Sequence, residues 1–401
     1  MKSSGGSKMD TKCPTIWYVL NARWPTIRAY GVQVAKTVEA LSKTDLRVLL
    51  IVPSRKMYPE QESQSWSELY KVDRSFEVIR LTSPDWVLKG WIGNIAFVLQ
   101  QVIFAARATM FLRTKNGVIY SRDPVSLSVC SFLGMPLFWE VHKLPNRLGW
   151  VHGWLIRRLA GIVVLTQGLA DRLIDEGMAL NRILVSPDGV DLKMFSAVET
   201  QEKVRWDLGL PAQVPIIGYV GHLRTLDEEK GVGDLVRAFR KIIVDIPDAI
   251  LLIVGGTERD IDSYKELCRN IGIGEGHVRF ERHQPFSRVP AYLRSMSVAV
   301  MPFPYSEHYA RFMSPMKMFE YMASGTPIVA TDLPSVREVL DETTAFFVSP
   351  DQPAELARGI REAIQSSDTA ARKARCAQRE VAEYSWNRRA ERIRDFIQIN
   401  S

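Results

Sequence analysis

The densest chemistry in the chain lies in Ser314-Pro315-Met316-Lys317-Met318-Phe319-Glu320-Tyr321-Met322-Ala323-Ser324-Gly325-Thr326-Pro327-Ile328-Val329-Ala330. Ser314 suits an N-cap and Pro315 the first helical position, so a helix is expected whose free amides and positive dipole end face an anion. Gly325 stops that helix, Pro327 follows, and 328–330 predict a short buried strand. Glu320 lies about 7.5 Å along the axis from Pro315. A diphosphate held around Ser314, Pro315, Met316 and Lys317, with its ribose hydroxyls on Glu320, fits that separation. A capped amphipathic helix with a solvated glutamate meets the same spacing.

Other residues sit where sheets present ligands. Glu140-Val141-His142 ends an apolar strand, and the two polar side chains alternate onto one side. Gly255-Gly256-Thr257 follows the run 251–254 and permits close approach, although glycines also serve merely to turn a strand into a helix. Asp260-Ile261-Asp262 spells a metal-holding pattern, but at a helix start such carboxylates cap amides and suit the dipole, which is the preferred reading.

The 314–330 segment resembles the donor-binding helix of the retaining glycosyltransferases of family 4, which have the GT-B fold of two facing Rossmann-like domains. That family carries two glutamates separated by seven residues; Glu320 matches the second, which holds the ribose. The first falls on Phe312, which accepts no hydrogen bond, and Glu307 is out of register, so the resemblance leaves the sugar to the amides of 313–317. The family also places Gly-Arg and then Lys-Gly after the first strand of the donor domain, two cations that neutralise the diphosphate. Lys230-Gly231 matches; His222 stands at the arginine position of Gly221-His222-Leu223-Arg224, and the longer loop makes Arg224 the substitute cation. A solvated charged loop is the alternative for 227–230. The resemblance further implies that His142 reaches the donor sugar with Glu140 beside it, that Arg282 and His283 line the nucleobase pocket, and that Gly31 begins the glycine-led helix of the first domain. Asp188 and Asp191 are expected to be turn residues, with Gly189 at a positive-φ position.

The elements that must position these groups alternate apolar strands with helical segments, which argues for parallel α/β construction. Strands are expected at 16–20, 47–52, 118–120, 137–140 and 161–165, then at 215–220, 250–254, 278–280, 298–301 and 328–330. The expected organisation is a disordered leader at 1–14, a Rossmann-like acceptor domain at 15–200, a nucleotide-sugar domain at 201–384 and a helix at 385–401 that crosses back to the first domain.

The chain has 401 residues and a net charge of +7, from 52 basic and 45 acidic residues, which is compatible with anionic substrates, anionic lipids or nucleic acid and does not choose among them. Cys13, Cys130, Cys268 and Cys376 lack metal-ligand or disulfide spacing, so a reducing, cytoplasmic setting is expected. From 90 to 106 there is no charge, with Trp86 before the run and Trp91 within it, and Arg157 and Arg158 end a second aromatic segment. This is a poor transmembrane span and either an interfacial helix, giving peripheral contact with a cytoplasmic membrane face, or a core helix.

Together these readings imply a retaining, metal-independent hexosyltransferase with no cofactor, in which Lys230, His142 and Glu140 are the catalytic candidates. It would move sugar from a nucleotide sugar, a UDP-sugar favoured, to a glycan or lipid-linked acceptor hydroxyl in polysaccharide biosynthesis. No nucleic-acid partner is expected. A nucleotide-sugar epimerase of the same fold and a noncatalytic partner subunit are the rival readings.

Overall fold

The computed structural model describes residues 14–26, 28–56, 65–72, 76–87, 90–145, 149–225 and 228–401. The expected leader lies outside them except for Pro14, as do Cys13 and Asp227.

Two parallel sheets face each other. The first contains β1 (Thr15–Val19), β2 (Arg47–Ser54), β3 (Glu77–Thr82), β4 (Val118–Ser121), β5 (Leu137–Val141), β6 (Gly161–Val164) and β7 (Ile183–Val185), in the order β3-β2-β1-β4-β5-β6-β7. A small antiparallel hairpin, β9 (Arg224–Thr225) and β10 (Glu228–Glu229), follows β8 (Ile216–Val220). The second large sheet joins β8 to β11 (Ile250–Val254), β12 (Val278–Glu281), β13 (Val298–Met301), β14 (Ile328–Thr331) and β15 (Phe346–Val348), in the order β12-β11-β8-β13-β14-β15.

The central strands are mostly apolar and buried because helices cover both faces of the sheet. Ile16, Tyr18 and Val19 in β1 and Ile216, Ile217 and Tyr219 in β8 are fully buried. Chain order reverses between β1 and β4 and again between β8 and β13, so each sheet has one crevice at its carboxyl edge where a ligand fits.

The strands absent from the expectation are all at sheet edges or in the hairpin. β3 carries Glu77 and Arg80 on a half-exposed edge, and β7 and β15 are three residues each, so none has a long apolar run.

The helix Trp386–Asn400 belongs to the first domain's core, where Ala390, Ile393, Phe396 and Ile397 pack beside Tyr18, Val34 and Phe138. Its entry is stitched to the interdomain crossing, the Val190 amide donating to the Tyr384 carbonyl at 3.0 Å. Gly189 has an ordinary backbone rather than a positive φ; a Cβ there would come within 3.0 Å of Trp386 and of the Tyr384 carbonyl. The glycine therefore serves close packing.

The helix Gly90–Leu112 is long and apolar enough to cross a membrane by length and composition, yet it lies against the first domain. One face is buried, through Ala96, Gln100, Phe104, Ala108 and Leu112 at four-residue spacing with Gln101 and Ala105 beside them. Trp91, Ile92, Ile95, Phe97, Val98 and Leu99 remain about half exposed or more. One face packs in the first domain, as the core reading expects, and the other is apolar and exposed.

Candidate active site

In the second domain the helix Met316–Ser324 points its N-terminus at the crevice between β8 and β13. Met318, Phe319 and Met322 anchor it in the core, and Gly325, at φ 67°, ends it as expected. Tyr321 ties it to β8: its hydroxyl accepts from the Val220 amide at 2.8 Å and lies 3.2 Å from the Val220 carbonyl. The cap differs from expectation. Pro315 is the N-cap, and the Ser314 hydroxyl instead accepts from the Asp188 amide of the first domain at 3.2 Å. Ser314 thus fastens the two domains beside the helix start, leaving the amides of Met316 and Lys317 without a side-chain cap.

Two lysines converge there. Lys317 Nζ is buried without an acceptor, 3.7 Å above the Tyr219 ring and 3.0 Å from where a Gly221 Cβ would stand. Burial, reinforced by Lys230, holds its pKa well below the usual lysine range. Burial likewise lowers Lys230 to about 8. Lys230 is held by its neighbour: Gly231, at φ 77°, lies so close to the Pro302 carbonyl that a Cβ would sit 1.6 Å from it. Gly255 and Gly256 also adopt positive φ, and a Cβ on Gly255 would meet the Gly221 carbonyl at 2.2 Å, so these glycines let the β8 and β11 loops touch. One helical turn on, Glu320 is buried without a hydrogen-bond partner among the described residues, and burial raises its carboxyl to about 7. Two desolvated ammonium groups that repel each other cost free energy, which an anion between them relieves.

His222 and His283 stack at 5.2 Å with an interplanar angle of 6°. Burial lowers both, His222 to about 4 with His283, Lys230, Lys317 and Arg28 adding to the effect. At neutral pH His222 is a hydrogen-bonding group and no cation. Arg28, from the first domain, is a charge that motif reasoning missed. Arg224 lies on the hairpin opposite Glu229 and acts on Tyr264. Arg282 is exposed and pairs with Glu258 at 2.5 Å, leaving His283 as the member of its pair that faces the site. Asp260 is occupied as the capping-box partner of Thr257, in agreement with the helix-start reading.

Across the cleft, His142 Nε2 lies 2.8 Å from Glu140 Oε1. Glu140 is almost fully buried and also accepts from Arg389 Nη2 at 2.8 Å and from the Tyr18 hydroxyl at 3.3 Å. Burial alone would raise its carboxyl; Arg389 and His142 overturn that and hold it well below the usual range. His142 is lowered to about 4, by burial and then by Arg122, so the imidazole is neutral. An ionised Glu140 accepts only, so Nε2 carries the proton and Nδ1 is left as an acceptor. Glu140 therefore positions His142. Arg389 reaches this pair from the C-terminal helix and also donates to the Pro187 carbonyl at 2.9 Å and Thr37 Oγ1 at 3.2 Å.

The crossing itself is polar and buried. Asp188 accepts from Gln33, keeps one carboxylate oxygen without a partner, and is raised to about 6 by burial. Asp191 caps the helix Leu192–Ser196 and pairs with Lys36 at 2.7 Å, a structural role as expected. Gly31 touches Thr26 and Tyr70 of its own domain. Phe312 packs against the first domain's core and lies beside Arg172 and Arg311, while Glu307 is exposed. His308, on the same turn, feels both Lys143 and Lys230 and so stands in the cleft between them.

Comparison with known proteins adds three findings. The chain is 29% identical over 53% of its length to a 2-deoxystreptamine glucosyltransferase of Streptomyces kanamyceticus, covering 54% of that protein. It is 27% identical over 53% of its length to a D-inositol 3-phosphate glycosyltransferase of Corynebacterium urealyticum, covering 50% of it. The chain thus spans about half the length of the curated relatives it matches. Among solved structures, HepE of Anabaena in complex with UDP superposes with a TM-score of 0.71 at 17% identity, over 96% of this chain and all of that one. Sucrose-phosphate synthase of Thermosynechococcus elongatus gives 0.73 at 18% identity, over 96% of this chain and 98% of that one. Residues 214–366 match the family model described as Glycosyl transferases group 1, and the chain as a whole has the GT-B fold.

Proposed function

We propose that this protein is a retaining glycosyltransferase that moves a sugar from a nucleoside diphosphate sugar, with UDP the favoured nucleotide, to a lipid-linked acceptor. The observation that carries the reading is the buried, partnerless ammonium of Lys317 beside Lys230 at the N-terminus of the Met316–Ser324 helix. That arrangement is built for a diphosphate. The UDP complex of HepE, a protein of the same fold, supports the choice of nucleotide.

In this reading Lys230, Lys317 and the Met316 and Lys317 amides hold the diphosphate, Glu320 takes the ribose hydroxyls, and His142 accepts a hydrogen bond from a sugar hydroxyl through Nδ1. As the glycosidic bond breaks, charge gathers on the departing diphosphate, and preorganised cations stabilise it more than they stabilise the intact donor. These lysines supply the positive charge for which a metal would otherwise be used. Glu140 is spent on Arg389 and His142, and Asp188 is enclosed at the crossing, so neither serves as a nucleophile. Same-face substitution, with the donor phosphate taking the acceptor proton, gives retention.

Calorimetry tests the donor site. Glu320→Ala should weaken UDP binding by roughly 1.5–3 kcal/mol, the range for hydrogen bonds to a charged group. Equal heats and affinities in the two proteins would remove Glu320 from the ribose position.

The exposed apolar face of Gly90–Leu112, together with the exposed Trp86, Arg157 and Arg158, supports a membrane-associated acceptor and a peripheral protein. Liposomes containing anionic lipid should sediment the protein at low salt and release it as salt screens the attraction. Binding that survives simultaneous replacement of Trp86, Trp91, Arg157 and Arg158 would reject this face.

A further inference from the structure

A second crevice opens at the carboxyl edge of the first sheet, between β1 and β4, as a cavity of about 820 Å³. His142, Lys143 and Arg122 line it together with Asn21, Arg23 and Arg55, and Trp86, Val87 and Phe97 add apolar surface. Five cationic side chains face the cavity, Arg23, Arg28, Arg55, Arg122 and Lys143, against two carboxylates, Asp123 and Glu140. Both carboxylates are occupied. Asp123 caps the helix Pro124–Cys130 and accepts from Asn21, while Glu140 is held by Arg389 and His142.

Arg55 is the informative member. Its Nη2 donates to Asn21 Oδ1 at 3.2 Å, but its Nε is buried with no acceptor, and it has no ion-pair partner among the described residues. A buried guanidinium nitrogen without an acceptor costs free energy unless a ligand supplies one. The neighbouring Asp85 is engaged by Arg23 and by the Lys56 amide. The next surface outward is apolar: Trp86 and Val87 are 42% and 78% exposed, and Phe97 is 55% exposed on the helix above them.

We infer that Arg55, with Arg23 beside it, forms the subsite for the diphosphate of a lipid-diphosphate-linked acceptor, whose chain leaves along the apolar face of Gly90–Leu112 and whose sugar points to His142. The inference rests on the proposed transferase reading and adds to it the acceptor's charged group and its orientation. It also limits acceptor length. Diphosphate and reacting hydroxyl share one cavity, so the acceptor carries only the first sugar or two, and the enzyme acts near the start of a lipid-linked chain.

The test uses farnesyl diphosphate, farnesyl monophosphate and farnesol as probes on the full chain, with UDP held at saturation so that the donor lysines are occupied. Wild type should bind farnesyl diphosphate at least tenfold more tightly than farnesol, with the monophosphate between them. Arg55→Gln should lose about tenfold for the diphosphate and nothing for farnesol, keep wild-type UDP affinity, and melt at the same temperature. Should Arg55→Gln fail to fold, Arg55→Lys decides in its place, with a smaller loss of the same selectivity. Equal binding of farnesol and farnesyl diphosphate, or unchanged diphosphate affinity in the variant, overturns the subsite. Failure of wild type to bind UDP would instead overturn the donor reading, while the farnesyl series measured without UDP on Lys230→Ala would still report on Arg55.

Discussion

Lys230→Ala should lower turnover at saturating donor by about 10²–10³-fold, the loss seen when one preorganised group is removed from a developing anion. Donor affinity should fall much less. The reason is the timing of charge: the intact donor already has a shared diphosphate charge, and the additional charge arrives only as the sugar departs. Folding should not suffer, because Lys230 is desolvated beside another ammonium and its removal relieves repulsion on Lys317. A thermal midpoint equal to or above wild type, together with the turnover loss, is the expected pair of results. Equal rates at saturating donor would reject the role.

Arg389→Ala should be the most damaging single change to stability. It leaves Glu140 as a buried carboxylate deprived of its main partner, and it strips hydrogen bonds from the Pro187 carbonyl and Thr37. Both charged side chains are at most 2% exposed, so solvent does little to screen the pair. Breaking such a pair from one side costs on the order of 3–5 kcal/mol. That is a large part of a typical domain's stability. The measurement is the urea midpoint followed by tryptophan fluorescence, and an unchanged midpoint would show that the pair is not the anchor of the C-terminal helix. Arg389→Lys should recover part of the loss, since it restores charge without the guanidinium's fork.

Much of this site was readable from local patterns, because local physics produces it. The central strands announce themselves as apolar runs since both sheet faces are covered, and Gly325 with Pro327 marks the end of the donor helix. Lys230-Gly231 was visible as a motif, and the structure adds why the glycine is there: no other residue fits against Pro302. Edge strands β3 and β15 escaped because an edge needs little apolar patterning. Ser314 misled for a subtler reason. Its type suits a cap, but tertiary structure uses the hydroxyl for the Asp188 amide instead.

The positioning of His142 was unreadable for a different cause. Glu140 and His142 are adjacent in sequence, whereas the arginine that holds Glu140 ionised comes from residue 389, and no spacing rule links them. The same applies to Arg28, whose charge acts on His222 of the second domain. Arg55 carried no motif at all; its unaccepted Nε became visible only with the cavity around it.

The proposed sugar transfer with retention from a nucleotide sugar is read in the stereochemistry of the product. The protein would be incubated with UDP-sugars and a lipid-diphosphate-linked monosaccharide, with chelator present, and the new glycosidic bond read from its anomeric proton coupling by NMR. An α-linked product from an α-configured donor, UDP released in equal amount, and the same rate with and without chelator are the expected results. A β-linked product, or an altered nucleotide sugar formed without acceptor, would contradict retaining transfer.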